Sequence, residues 1–98
     1  MSMIKTLIFS LLSGFLLGSS VEVVKEYYES GALKSVFEYR NGKREGIGRI
    51  YYESGNLKRE FTYKKGKLDG IGKVYYEDGT VDSEFTYQNG TLKAYTKK

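Results

Sequence analysis

The chain has 98 residues, with no Cys, His, Pro or Trp, and 16 basic against 12 acidic side chains give it a formal charge of +4. Disulfide frameworks, thiolate or imidazole metal sites, thiol nucleophiles and the usual general base are excluded by that composition. The basic residues are interspersed with acids apart from one cluster, Lys64, Lys65 and Lys67, which argues against a nucleic-acid partner, since such binders collect charge on one face.

The first element is apolar. Met1 to Lys5 carries one positive charge, Thr6 to Gly18 has no ionisable residue, and Gly18, Ser19 and Ser20 are small. This is the three-part pattern of a secretory signal peptide over residues 1–20, expected to be helical and cut before Val21, with the mature chain exported to the periplasm, the envelope or the medium. The apolar run would reach only ~20 Å as a helix, short of a ~30 Å hydrocarbon core, which disfavours a spanning anchor. Cleavage, retention as an anchor and a packing helix stay open.

From Tyr27 onward the sequence repeats every 24 residues without insertion, in the copies 27–50, 51–74 and 75–98. The middle copy holds the residues common to all three: Tyr51, Tyr52, Glu53, Gly55, Phe61, Tyr63 and Gly66. A fixed period repeated end to end implies one unit stacked on itself. Within each unit the hydrophobic period is two, and turn signals fall at Ser30-Gly31, Asn41-Gly42, Ser54-Gly55, Lys65-Gly66, Asp78-Gly79 and Asn89-Gly90. The prediction for 21–98 is therefore all-β: a single elongated antiparallel meander of about six to seven strands, built from three β-hairpin repeats. Strands are expected at 22–29, 33–40, 46–53, 57–64, 70–77, 81–88 and 92–96.

Two-residue turns would set the register. Around Ser54-Gly55 they place Tyr52 opposite Leu57, Arg49 opposite Glu60 and Gly48 opposite Phe61. Around Lys65-Gly66 they place Tyr63 opposite Leu68 and Phe61 opposite Gly70. The same arithmetic puts Phe37 between Val24 and Gly46, Phe85 between Gly72 and Ala94, and Lys73 opposite Glu84. Phe37, Phe61 and Phe85 then form a structural aromatic ladder covering small residues on the neighbouring strands. Alternation sorts Gly48, Ile50, Tyr52, Leu57, Arg59, Phe61, Tyr63 and Leu68 to one aromatic and aliphatic face and leaves the other charged, with Tyr27, Tyr51 and Tyr75 as exceptions. A sheet with one apolar face must curl, dimerise or be covered.

The run Phe61-x-Tyr63-x-x-Gly66-Lys67-x-x-Gly70-x-Gly72-x-x-Tyr75-Tyr76-x-x-Gly79 resembles the MORN repeat, more closely its bacterial variant in the YwqK-type antitoxin family. The likeness covers essentially all of Val21 to Lys98. It implies an elongated array of antiparallel hairpins and a non-catalytic role of the antitoxin or immunity type in a toxin–antitoxin system. The chain departs from the standard repeat in having Glu38, Thr62 and Thr86 between its paired aromatics, which weakens transfer of a lipid-binding role. It also has Lys93-Ala94-Tyr95-Thr96 in place of the final Gly-x-Gly, as a capping repeat would.

No catalytic motif is present: Ser35 or Ser83 with a nearby lysine, and carboxylates such as Glu45 and Asp69, lack both a marker and a cleft. No enzyme activity, cofactor or metal site is expected. Gly46-Ile47-Gly48 and Gly70-Ile71-Gly72 fail as nucleotide loops, because no helix follows. The candidate partner-binding face is Tyr28, Tyr39, Tyr52, Tyr63, Tyr76 and Tyr87, since tyrosine joins apolar area to a polar tip. Two readings follow: an exported module that binds a protein, a toxin or a second copy of itself, and an envelope protein that lies on membrane or polysaccharide.

Overall fold

The computed structural model describes residues 5–12 and 20–98, with side chains from 21 onward. The described chain forms ten strands: β1 (Lys5–Leu12), β2 (Ser20–Tyr27), β3 (Leu33–Arg40), β4 (Lys43–Arg44), β5 (Gly46–Tyr51), β6 (Leu57–Lys64), β7 (Lys67–Leu68), β8 (Gly70–Tyr75), β9 (Val81–Gln88) and β10 (Thr91–Lys97). All belong to one antiparallel sheet in the order β1-β2-β3-β5-β6-β8-β9-β10, with β4 added to β3 and β7 to β6. The meander expected from the repeat is present, with strand bounds within two residues of those read from the turns. The strand count exceeds six to seven because β4 and β7 are short pieces split from β5 and β8, and because β1 pairs along the whole of β2. The expected leader helix is not what β1 forms; residues 1–4 and 13–19, which carry the rest of the leader and the approach to its cut, lie outside the described residues.

Two kinds of turn alternate. At Asn41-Gly42, Lys65-Gly66 and Asn89-Gly90 both central residues have positive φ, 52° and 80° in the first of them. This is the two-residue hairpin whose twist matches that of the flanking strands. At the other end the loops are longer than expected. Tyr52 N–H donates to Asn56 O at 2.8 Å and Gly55 N–H to Tyr52 O at 2.9 Å, and the same pair of bonds recurs at Tyr28 and Tyr76. Three residues therefore turn the chain, with the glycine in the left-handed region, and Tyr52 faces Asn56 rather than Leu57.

An odd loop would invert every side chain of the following strand. It does not, because an irregularity between Ile50 and Tyr51 adds one residue: Tyr51 pairs with Leu57, but Ile50 pairs with Arg59. Beyond it Arg49 faces Glu60 and Gly48 faces Phe61, as the two-residue arithmetic requires. A second irregularity lies at Asp69 and Gly70. Tyr63 pairs with Leu68, yet Arg59 pairs with Val74, so two extra residues pass between β7 and β8. An even number preserves the faces and shifts the neighbours.

Phe61 accordingly lies over Gly72 instead of Gly70, and Phe37 over Gly48 instead of Gly46. Phe37 faces Val24 and Phe85 faces Gly72, as expected, with Lys73 opposite Glu84. Phe85 meets Tyr95 rather than Ala94, because β10 has its own irregularity between Leu92 and Ala94. Ring meets glycine closely: a Cβ on Gly72 would stand far inside contact distance of the nearest Phe61 ring carbons, and one on Gly48 far inside that of the nearest Phe37 ring carbons. No described hydrophobic residue is fully buried, while Ser35 and Ser83 are, at 3% and 5% exposure. A one-layer sheet encloses only what its own side chains can cover.

Gly72→Ala should therefore destabilise the fold by about 1–3 kcal/mol, the usual cost of forcing extra volume into a filled site. Urea unfolding checks this, with Ile71→Ala, on the exposed opposite face at 57% exposure, expected within about 0.5 kcal/mol of the parent. Phe61→Leu combined with Gly72→Ala should cost less than the sum of the two single changes.

Candidate functional site: an aromatic groove flanked by two arginines

The candidate tyrosines fall into two groups. Tyr28, Tyr52 and Tyr76 stand at the three-residue turns and are tied down. Tyr28 OH donates to Tyr51 O at 2.5 Å and Tyr52 OH to Tyr75 O at 2.7 Å, so each hydroxyl grips the backbone of the next repeat. Lys34 and Lys58 lie over the rings of Tyr28 and Tyr52, 5.6 and 5.4 Å from the centroids. Tyr76 is 43% exposed, and its hydroxyl accepts from Lys97 Nζ at 3.1 Å. Lys97 also pairs with Asp82, and these two contacts, the carboxylate first, raise its pKa.

The second group joins the ladder. Phe61 packs on Phe85 and Tyr87 with ring centroids 5.8 and 6.2 Å apart, Phe85 on Tyr95 at 4.9 Å, and Tyr63 stands edge-on to Phe37 at 6.0 Å. Between Phe37 and Tyr87 the face opens into a groove of about 260 Å³, walled by Phe61, Tyr63 and Leu68 and floored by Gly48. Gly48, over which Phe37 lies, thus also lines the recess.

Two arginines border this groove. Arg44 lies flat over Phe37, its guanidinium carbon 3.9 Å from the ring centroid and 5.3 Å from that of Tyr63. It donates to the hydroxyls of Tyr39 at 3.2 Å and Tyr63 at 3.3 Å. Partial burial works against its charge, but the two tyrosine oxygens outweigh that and hold its pKa above the ordinary value. Arg59 lines the groove wall and is exposed. Among the described residues neither guanidinium has a carboxylate partner, whereas Arg49 on the charged face pairs with Glu60 at 2.8 Å.

Sequence reasoning missed these arginines as site residues. The signal was in the repeat itself. Arg44 stands where the other copies have Leu68 and Leu92, and Arg59 stands where they have Ser35 and Ser83.

A second recess lies at the two-residue hairpin tips, which stack on one another through Gly66 N–H to Arg44 O at 2.9 Å and Gly90 N–H to Leu68 O at 2.7 Å. It has a volume of about 550 Å³ and is lined by Lys43, Lys64, Lys65 and Lys67, with Asp69, Gln88 and Asn89. The stacking gathers cations from two repeats into one ridge. Of the serines weighed for catalysis, Ser35 is buried and donates to Glu26 at 3.2 Å. No described cluster of three acidic residues has the arrangement to hold a metal ion.

Comparison with family models matches the MORN repeat variant at three adjacent stretches, residues 23–42, 44–65 and 68–95, together more than two-thirds of the chain. Neither the curated proteins nor the solved structures gave a match.

The two tyrosine groups should respond differently to loss of a hydroxyl. Tyr52→Phe removes a part-buried bond to a backbone carbonyl and should cost about 0.5–1.5 kcal/mol. Tyr76→Phe, whose partner is an exposed lysine, should stay within about 0.5 kcal/mol of the parent. Thermal or urea denaturation of the two variants side by side checks the difference.

Proposed function

Because the chain belongs to the MORN repeat variant family, we propose that it is an exported, non-catalytic module that binds a protein partner through its aromatic face, in an antitoxin or immunity role. MORN repeats are generally protein- or membrane-binding modules and generally non-catalytic. The observation that carries the reading is the groove: rings from all three repeats share one face, and no second layer of the described chain covers them. Contiguous apolar surface of this kind on a soluble domain marks an interaction site more often than not. Export rests on the leader pattern of residues 1–20. The antitoxin role rests on the family resemblance alone.

A second reading, attachment to a membrane surface or an anionic polysaccharide, is favoured by the lysine ridge at the hairpin tips. The two separate by salt. Attachment through lysines should weaken steeply between low and physiological ionic strength, whereas an aromatic interface should change little.

A photo-crosslinking residue placed at Leu68, in the groove, should capture a partner in the native host, and the same residue at Ile71, on the opposite face, should not. Tyr63→Ala with Tyr87→Ala should abolish the Leu68 adduct and leave the far-UV circular dichroism unchanged. Adducts from Ile71 alone would move the site to the charged face. Intact-mass measurement of the protein from the host envelope or medium should give a chain beginning at or near Val21, and recovery of a full-length cytoplasmic chain would overturn export.

A further inference from the structure

Three repeats of one sequence act as their own control. Where all copies agree, the fold explains the residue; where one copy departs and still folds alike, the fold does not require the departure. Leu68, in the equivalent short strand β7, shows that leucine serves structurally at the position of Arg44, and buried Ser35 and Ser83 show that serine serves at the position of Arg59. Both departures are arginines: Arg59 lines the groove, Arg44 lies over two of the rings that line it, Phe37 and Tyr63, and neither meets a carboxylate among the described residues.

Arg44 is also held ready. Stacked on Phe37 and bonded to two tyrosine hydroxyls, it has already lost much of the side-chain freedom that binding would otherwise take. A guanidinium so placed still has donors left for a carboxylate, to which it pairs in a fork. The groove at about 260 Å³ is below the roughly 300–1,000 Å³ of small-molecule pockets and suits a single side chain inserted from a chain lying across the face.

We propose that the groove recognises an acidic peptide segment of a protein partner, inserting one aromatic or aliphatic side chain against Phe61 and Leu68 and pairing its carboxylates with Arg44 and Arg59. This rests on the protein-binding reading and names the chemistry of the partner. The lysine ridge is a separate surface at the hairpin tips, with compact ammonium groups instead of forked donors, and takes no part in the pairing.

Fluorescence anisotropy with the full chain tests it. The probe is a short labelled peptide alternating glutamate with phenylalanine and leucine, compared with the same peptide carrying glutamine for glutamate. The acidic form should bind about tenfold or more tightly than the glutamine form, as charge-assisted hydrogen bonds require. Arg44→Leu and Arg59→Ser install the residues that the other repeats hold, so folded variants are expected, and circular dichroism verifies each. Each should reduce the acidic advantage, read as the ratio of the two affinities, and the pair should remove it.

Equal affinity for the two peptides, no binding of the acidic one, or an advantage intact in the double variant overturns the proposal. The glutamine comparison needs no variant and decides the matter even if one unfolds. Loss of the advantage on Lys64→Gln with Lys65→Gln also overturns it, in favour of recognition at the hairpin tips. Phosphatidylglycerol vesicles that displace the probe from the parent through Arg44 and Arg59 overturn it in favour of a lipid. Partner adducts from Leu68 that persist in the Arg44→Leu, Arg59→Ser double variant would leave the protein-binding face standing and refute its acidic specificity alone; absence of any adduct from Leu68 would refute the face itself.

Discussion

The sheet depends on a ring occupying the space that a side chain would have taken. Phe37 and Phe61 lie flat on Gly48 and Gly72, and neither position admits a Cβ. A single sheet has no opposing layer to pack against, so it covers itself sideways, each strand's phenylalanine roofing its neighbour's bare backbone. Glycine ordinarily weakens a strand, and here that cost is offset by apolar contact available nowhere else in a one-layer fold. The same rings bound a concave apolar surface on the described sheet.

Much of this was legible because a strict repeat multiplies every local signal by three. The strands, the meander and the ladder follow from turn residues and period-two alternation alone. The register was legible in part: Gly48 pairs with Phe61 and Tyr63 with Leu68 as expected, whereas Tyr52 faces Asn56 and Leu57 pairs with Tyr51. Side chains went to the expected faces, but Phe61 came to rest on Gly72 two residues from its expected neighbour Gly70, because the backbone takes up an extra pair of residues at Asp69 and Gly70. Turn composition alone does not specify such irregularities. Ser54-Gly55 reads equally well as the centre of a two-residue turn or as the end of a three-residue one, and only the hydrogen bonds of Tyr52 distinguish them.

The site was harder to read for a different reason. Tyrosine is both scaffold and contact residue, and sequence does not tell which tyrosine does which. Tyr28 and Tyr52 prove to be fasteners between repeats, whereas Tyr63 and Tyr87 line the groove. Alternation puts Arg59 on the aromatic face, yet neither arginine was read as a contact residue, because attention to what the copies share hides what they do not. In a repeat protein, shared residues describe the scaffold and exceptions describe the occasion for which it is used.

The tyrosine fasteners also give the array a direction. Both run forward, from the hydroxyl of one repeat to the first backbone carbonyl of the next. At Tyr76 the hydroxyl instead accepts from the Lys97 ammonium. A phenol that accepts in this way keeps its own proton, so Tyr76 holds a donor to spare where Tyr28 and Tyr52 have spent theirs on a carbonyl.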